Sequence, residues 1–246
     1  MQHVFALKGG FFMSVKPKSS PALYPHPFSR AYWRDAAAEM KDVRVLIFAA
    51  LIIALRLALK SVRIPIGPSL DINSQLFVNA LGSMVFGPVV AILAAAVSDT
   101  LGALLFPSGP YFFPFIFTEI AGSLIFALFL YRARITVRRV TLSRFCVNFF
   151  VNIVLQTPIM AMYYQMMLGK SYTWFNLPRI AKNLVLFPFE AVLLVLFLRY
   201  AVPPLSRLGF IRSKVDGLKL DRKNILLLVG LTLISAAATG LYFWLK

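Results

Sequence analysis

Six ionisable side chains lie inside apolar stretches of this chain: Arg56, Asp99, Glu119, Arg179, Lys182 and Glu190. A charge in hydrocarbon is costly, so each must face a protein interior, a partner or a ligand. Arg179, Lys182, Asn183, Leu186 and Glu190 fall within about 100° on one helical face. Such a face suits an anion, although Arg179 and Lys182 can equally snorkel to headgroups. A second polar stripe, Asn148, Asn152, Gln156 and Tyr163, spans about 80°. Hydrogen bonding between helices accounts for Asn148 and Asn152, whereas Gln156 and Tyr163 are ligand candidates. Asp99 needs either Arg56 or a donor on a ligand, and Glu119 poses the same problem. The segment SDTLGALLFPSGPYFFPF at 98–115 carries Tyr111, Phe112 and Phe113 on a proline-stiffened loop. These rings suit a membrane interface or stacking on a flat ligand. Tyr172 and Trp174, in the loop 169–177, present the same choice.

Catalytic signatures are missing. The sequence contains no Walker A pattern and no GxSxG, and its two histidines, His3 and His26, precede the first span. A serine–histidine or cysteine–histidine pair therefore cannot form in the bundle. Asp99 lacks the YD or GxGD setting of an intramembrane aspartyl protease. Cys146 is the only cysteine, which excludes an internal disulfide and a cysteine-based zinc site. The expectation is a non-catalytic protein with no metal and no cofactor.

The elements that must position these residues are membrane helices. Of 246 residues 59% are hydrophobic, and the mean hydropathy is +0.77. Continuous apolar runs predict an all-α integral membrane protein rather than a β-barrel. Seven spans are expected, at 44–60, 74–86, 88–106, 113–131, 143–168, 178–201 and 224–245. The second covers only about 20 Å at about 1.5 Å per residue, so tilt or partial re-entry is expected. Gly87-Pro88 predicts a tight turn, Pro158 a kink, and Pro178 a helix start. Four parts follow: an N-terminal extension 1–42, weakly ordered apart from a short interfacial helix in SRAYWRDAAAEMKD; a six-span domain 43–202; a basic linker 203–223; and an additional span 224–246. Met40 offers an alternative start, and VFALKGGFF does not read as a cleaved signal peptide.

Charge placement orients the chain. Nineteen Lys and Arg residues fall in 1–44, 132–144 and 199–223, against four on the other side. The positive-inside rule then puts the N-terminus in the cytoplasm and the C-terminus outside. The same asymmetry explains the net charge of +17 without nucleic acid.

The first strong helix, LIFAALIIALRLAL (46–59), carries Ala50, Ala54 and Ala58 four residues apart. Small residues at this spacing allow close approach of another helix in lipid. Arg56 lies about 200° from Ala54 and so points into the chain's own bundle if the alanines face a partner.

Taken with FGPVVAILAAAVSDTLGALLFPSGPYFFPF (86–115) and LPRIAKNLVLFPFE (177–190), this strip resembles the substrate-binding S component of energy-coupling factor (ECF) vitamin transporters, most closely the folate branch. The resemblance covers about residues 40–202 and implies a six-helix bundle with its N-terminus inside. It implies docking of the alanine face on a transmembrane T component driven by two separate ATPases. Substrate would lie near the outer surface, under the loops after spans one, three and five. The long extension and the seventh span depart from the six-span pattern. For folate, the dianionic tail asks for Arg63, Arg179 and Lys182. The pterin edge suits Asp99, Gln156 and Asn183, and the flat ring suits Tyr111 or Trp174. Arg56 and Tyr163 complete the expected binding set. Other small molecules, such as riboflavin, a thiamin precursor or a queuosine precursor, fit the same architecture. A secondary transporter is disfavoured by the lack of an internal repeat. A scaffold without a ligand would leave the polar faces unexplained.

Overall fold

The computed structural model describes residues 23–244, apart from 25, 68–69, 108, 174–175 and 219–220. Helix α2 (Val43–Ala58) starts at Asp42, whose side chain accepts from the Arg44 amide at 3.0 Å. A hairpin of β1 (Arg63–Gly67) and β2 (Leu70–Asn73) follows, with Arg63 opposite Asn73. The second and third expected spans form one element, α3 (Gln75–Leu105), broken at Gly87 with φ 74° and ψ 177°. Next come α4 (Phe115–Leu130), α5 (Val137–Cys146) and α6 (Gln156–Leu168), then α7 (Leu177–Arg207) and α8 (Arg222–Trp244). Among the described residues four stretches are long and apolar enough to cross a membrane, namely α3, the continuous rod from α5 through α6, α7 and α8, and α4 is a shorter apolar helix. With α2 and the two arms of α3 counted separately, six segments form the bundle and α8 adds a seventh. The fold is that of an all-helical, multi-pass membrane protein.

The bend at Gly87 is held by close contact. A Cβ there would sit 2.9 Å from the Tyr131 ring, at a φ that side chains rarely adopt. Gly87→Ala is expected to cost about 1–3 kcal/mol. Thermal unfolding in detergent reads this out, and an unchanged midpoint would mean that the ring simply moves aside.

Pro158 acts over a longer stretch than a local kink. Between α5 and α6 the chain winds as a π-helix, Val147–Leu155. Proline has no N–H and its ring crowds the preceding turn, and a widened helix absorbs both. The rod begins at Val137, six residues before the expected span. Its N-cap is Thr136, whose hydroxyl accepts from the Arg139 amide at 3.2 Å. Arg144, read from sequence as a loop cation, is therefore inside the bundle and 6% exposed.

Apolar side chains from α3, α4 and α7 make the centre of the core, with Met84, Phe126, Leu194 and Leu198 essentially sealed. On α2, Ile52 and Arg56 face this core. Ala50, Ala54 and Ala58 are exposed on the opposite side. Among the described residues, α8 touches the bundle mainly through α7. Ser235 on α8 donates to the Val185 carbonyl at 3.2 Å. Leu226, Val229, Leu233 and Ile234 of α8 face outward.

The N-terminal extension, expected to be weakly ordered, is anchored in its described part. Helix α1 (Arg30–Ala38) forms within the segment where a short helix was expected. It buries Tyr32 and Ala36 completely, and the Tyr32 hydroxyl donates to the Ala127 carbonyl at 3.1 Å. Glu39, 2% exposed, accepts from the Tyr131 hydroxyl at 2.8 Å, Arg132 at 3.2 Å and Arg212 at 2.5 Å. Arg132 also pairs with Asp35. A buried carboxylate with three charged or polar donors satisfies the demand that burial imposes on it. Beside it, β3 (Arg134–Thr136) runs parallel to β4 (Lys214–Gly217). The extension, the α4–α5 connection and the α7–α8 linker thus meet at one point. Residues 1–22 lie outside the described set.

Candidate ligand site

Two cavities lie within the bundle, of about 280 Å³ and 240 Å³. They abut, because Thr118, Glu119 and Gln156 line both. Each is close to the lower end of the range for small-molecule sites.

The first cavity is aromatic on one side. Tyr111, Phe112, Phe115 and Tyr163 line it, together with Lys60 and Asp99. Phe112 and Tyr163 meet edge to face at 5.6 Å between centroids. Lys60 reaches in by crossing α3 at Gly102, where a Cβ would come within 2.8 Å of its Nζ. The glycine makes room for the lysine. Asp99 forms no ion pair among the described residues, so its carboxylate is open to a donor in this cavity.

The second cavity is charged. Arg56, 3% exposed, donates from Nη2 to Glu119 Oε2 at 2.6 Å. Its Nε is buried without a hydrogen-bond partner in the described structure. Such an orphan costs free energy unless something accepts from it, so Nε is a ready donor to a ligand. Arg56 therefore takes Glu119 and leaves Asp99, which the sequence had offered as its alternative partner. Asn79 accepts from the Ser123 hydroxyl at 2.7 Å. That leaves its Nδ2 without a partner among the described residues. Glu190 and Arg144 form another wall. Arg144 donates twice to Glu190 Oε2, from Nε at 3.0 Å and Nη2 at 2.5 Å, with both side chains 8% exposed.

An amide network adjoins that wall, and its Asn152 lines the second cavity. Asn148 donates to the Asn183 carbonyl at 2.6 Å, and Asn152 donates to Asn148 at 2.9 Å and Asn183 at 3.2 Å. Arg179 donates to the Asn152 carbonyl within the π-helix and to the Tyr172 hydroxyl at 3.1 Å. The π-helix exposes carbonyls that an ordinary helix would use, and Arg179 satisfies one of them.

The structure brings together Asp99, Tyr111, Gln156 and Tyr163 on the first cavity and Arg56 and Gln156 on the second. Arg179, Lys182 and Asn183 share the next layer on α7 and line neither cavity. Arg63 is placed by its backbone in β1, and Trp174 lies outside the described residues. Lys60, Asn79 and Gln75 are cavity residues that the sequence reading did not single out. Gln75 had a signal, being a polar residue at the start of an apolar helix, and its Nε2 donates to the Arg56 carbonyl at 2.8 Å.

An internal polar and aromatic cavity in a membrane bundle suits a small-molecule ligand. The family model for "ECF-type riboflavin transporter, S component" matches residues 40–199, and the chain belongs to this family of transporter S components. The folate transporter FolT of Clostridium novyi is 30% identical over 155 residues, covering 63% of this chain and 88% of that protein. FolT of Leuconostoc mesenteroides is 28% identical, covering 61% of this chain and 81% of the relative. A crystal structure of FolT bound with folic acid superposes with a TM-score of 0.52 at 26% identity, over 60% of this chain and 86% of the other. The residues that the family model matches leave out α1 and α8.

Proposed function

We propose that this chain is the folate-binding S component of an ATP-driven ECF-type importer. The observation that carries the reading is the pair of abutting cavities, one aromatic and the other charged, in which Asp99 has no ion pair and Arg56 Nε no hydrogen-bond partner among the described residues. The similarity to two folate transporters supports it. In this reading the pterin lies against Tyr111 and Tyr163, and Asp99 accepts from its adjacent donors. Gln156 serves both cavities, and Asn183 holds the amide network behind them. The dianionic tail meets Lys60 and the outer cations Arg63, Arg179 and Lys182, and Trp174 is the alternative to Tyr111 for stacking on the ring.

The domain comprises residues 43–202, extended by 1–42, the linker 203–223 and the span 224–246. Its N-terminus faces the cytoplasm and its C-terminus the exterior, a reading that the distribution of cations supports. The exposed strip Ala50, Ala54 and Ala58 docks on a transmembrane T component, and two separate ATPases supply the energy. The chain itself catalyses nothing.

The name of the matching family supports a second ligand, riboflavin, in the same cavities. Mass spectrometry of small molecules released from the detergent-purified protein separates the two, with folate and riboflavin titrated alongside. Recovered folate with submicromolar binding is expected. Riboflavin instead would keep the architecture and overturn the pterin assignments. No ligand and no binding to well-folded protein would favour a scaffold.

A further inference from the structure

A groove of about 540 Å³ lies outside the ligand cavities, between the end of α4, the start of α5 and the residues before α1. Phe28, Phe129 and Leu142 give it an apolar wall, and Arg138 and Arg139 stand at its edge. Among the described residues no acidic side chain lines it. Arg139 donates from Nε to the Phe129 carbonyl at 2.5 Å, which fixes the guanidinium while its terminal nitrogens keep no partner among the described residues. Arg138 is exposed and likewise without a partner among them. The Leu142 side is half exposed and Phe28 almost fully so, at 50% and 88%. Two unneutralised guanidiniums beside an exposed apolar wall match a molecule with an anionic head and a hydrocarbon tail.

We infer that this groove binds an anionic phospholipid, its phosphate on Arg138 and Arg139 and an acyl chain along Phe129 and Leu142. Charge complementarity selects the anionic headgroup, and the apolar wall selects a lipid over free phosphate. In the orientation proposed above, the groove opens at the cytoplasmic leaflet, where anionic lipids and basic pockets between helices meet. The inference rests on that orientation and not on the identity of the vitamin, so a failure of folate binding would leave it standing.

The test is native mass spectrometry of the full chain in detergent, with phosphatidylglycerol or phosphatidylcholine added. The wild type is expected to retain phosphatidylglycerol with roughly 10- to 30-fold preference, two cations near the surface each contributing. Arg138→Glu, at a side chain that holds no other group, should remove most of that preference while folate-independent melting stays unchanged. Arg138→Ala with Arg139→Ala should remove it entirely. Equal retention of the two lipids, or a preference untouched by Arg138→Glu, would overturn the proposal. So would inorganic phosphate that raises the melting temperature of the wild type alone while neither lipid is retained.

Discussion

Glu190→Leu is expected to destabilise the protein by about 3–5 kcal/mol, the usual cost of leaving one partner of a buried pair uncompensated. Arg144 would keep its charge among helices with no carboxylate to accept from Nε and Nη2. Both donors now reach one oxygen, Oε2, and both side chains are 8% exposed. The double variant Arg144→Met with Glu190→Leu should recover most of the loss, since apolar replacement of a whole buried pair is often neutral. Denaturation midpoints of the wild type, both single variants and the double variant form the cycle. A double variant as unstable as Glu190→Leu alone would show that the carboxylate matters through something other than Arg144.

Asp99→Asn is expected to weaken folate binding about 10- to 100-fold, the loss of a hydrogen bond to a charged group of about 1.5–3 kcal/mol. The carboxylate presents two acceptor oxygens, whereas an amide offers one acceptor and turns donors toward the donors of the pterin edge. Because Asp99 forms no ion pair among the described residues, the ligand-free protein should melt no lower than the wild type. Isothermal titration and melting without ligand separate the two effects. Unchanged affinity would move the pterin away from the first cavity, and equal losses of affinity and stability would make Asp99 a structural residue.

Single-helix features were the legible ones. The inward direction of Arg56 follows from the alanine spacing, because period 3.6 alone fixes which residues oppose each other. The break at Gly87-Pro88, the apolar helical segments and a helix in 29–42 were readable for the same reason. Pairings between helices were not. Arg56 and Glu119 are 63 residues apart, and only the packing of α2 on the bundle decides that Glu119, and not Asp99, receives the guanidinium. Arg144 looked like a loop cation because it ends an arginine-rich run. Its burial depends on the Thr136 cap, which starts the helix early and turns that position inward. Lys60 was not legible as a site residue, because its reach into the first cavity depends on Gly102, a residue whose meaning appears only where the lysine crosses α3. The β1–β2 hairpin was missed because strands of four or five residues around Gly67 and Pro68 carry little periodicity.

The junction at Glu39 bears on where a working chain can begin. Met40 sits one residue past that carboxylate, so translation from Met40 would yield a protein lacking Tyr24, Tyr32, Asp35 and Glu39 together. Arg132 would then lose both of its carboxylates, Arg212 would keep, among the described residues, only Asp42 at 3.6 Å, and Tyr131 would lose the acceptor for its hydroxyl. The shorter product would retain every residue of both ligand cavities while losing the counter-charge that ties the α4–α5 connection to the α7–α8 linker. A recombinant version trimmed to the family boundary at residue 40 would therefore carry the whole pocket on a body without the carboxylate that Arg132 and Arg212 share.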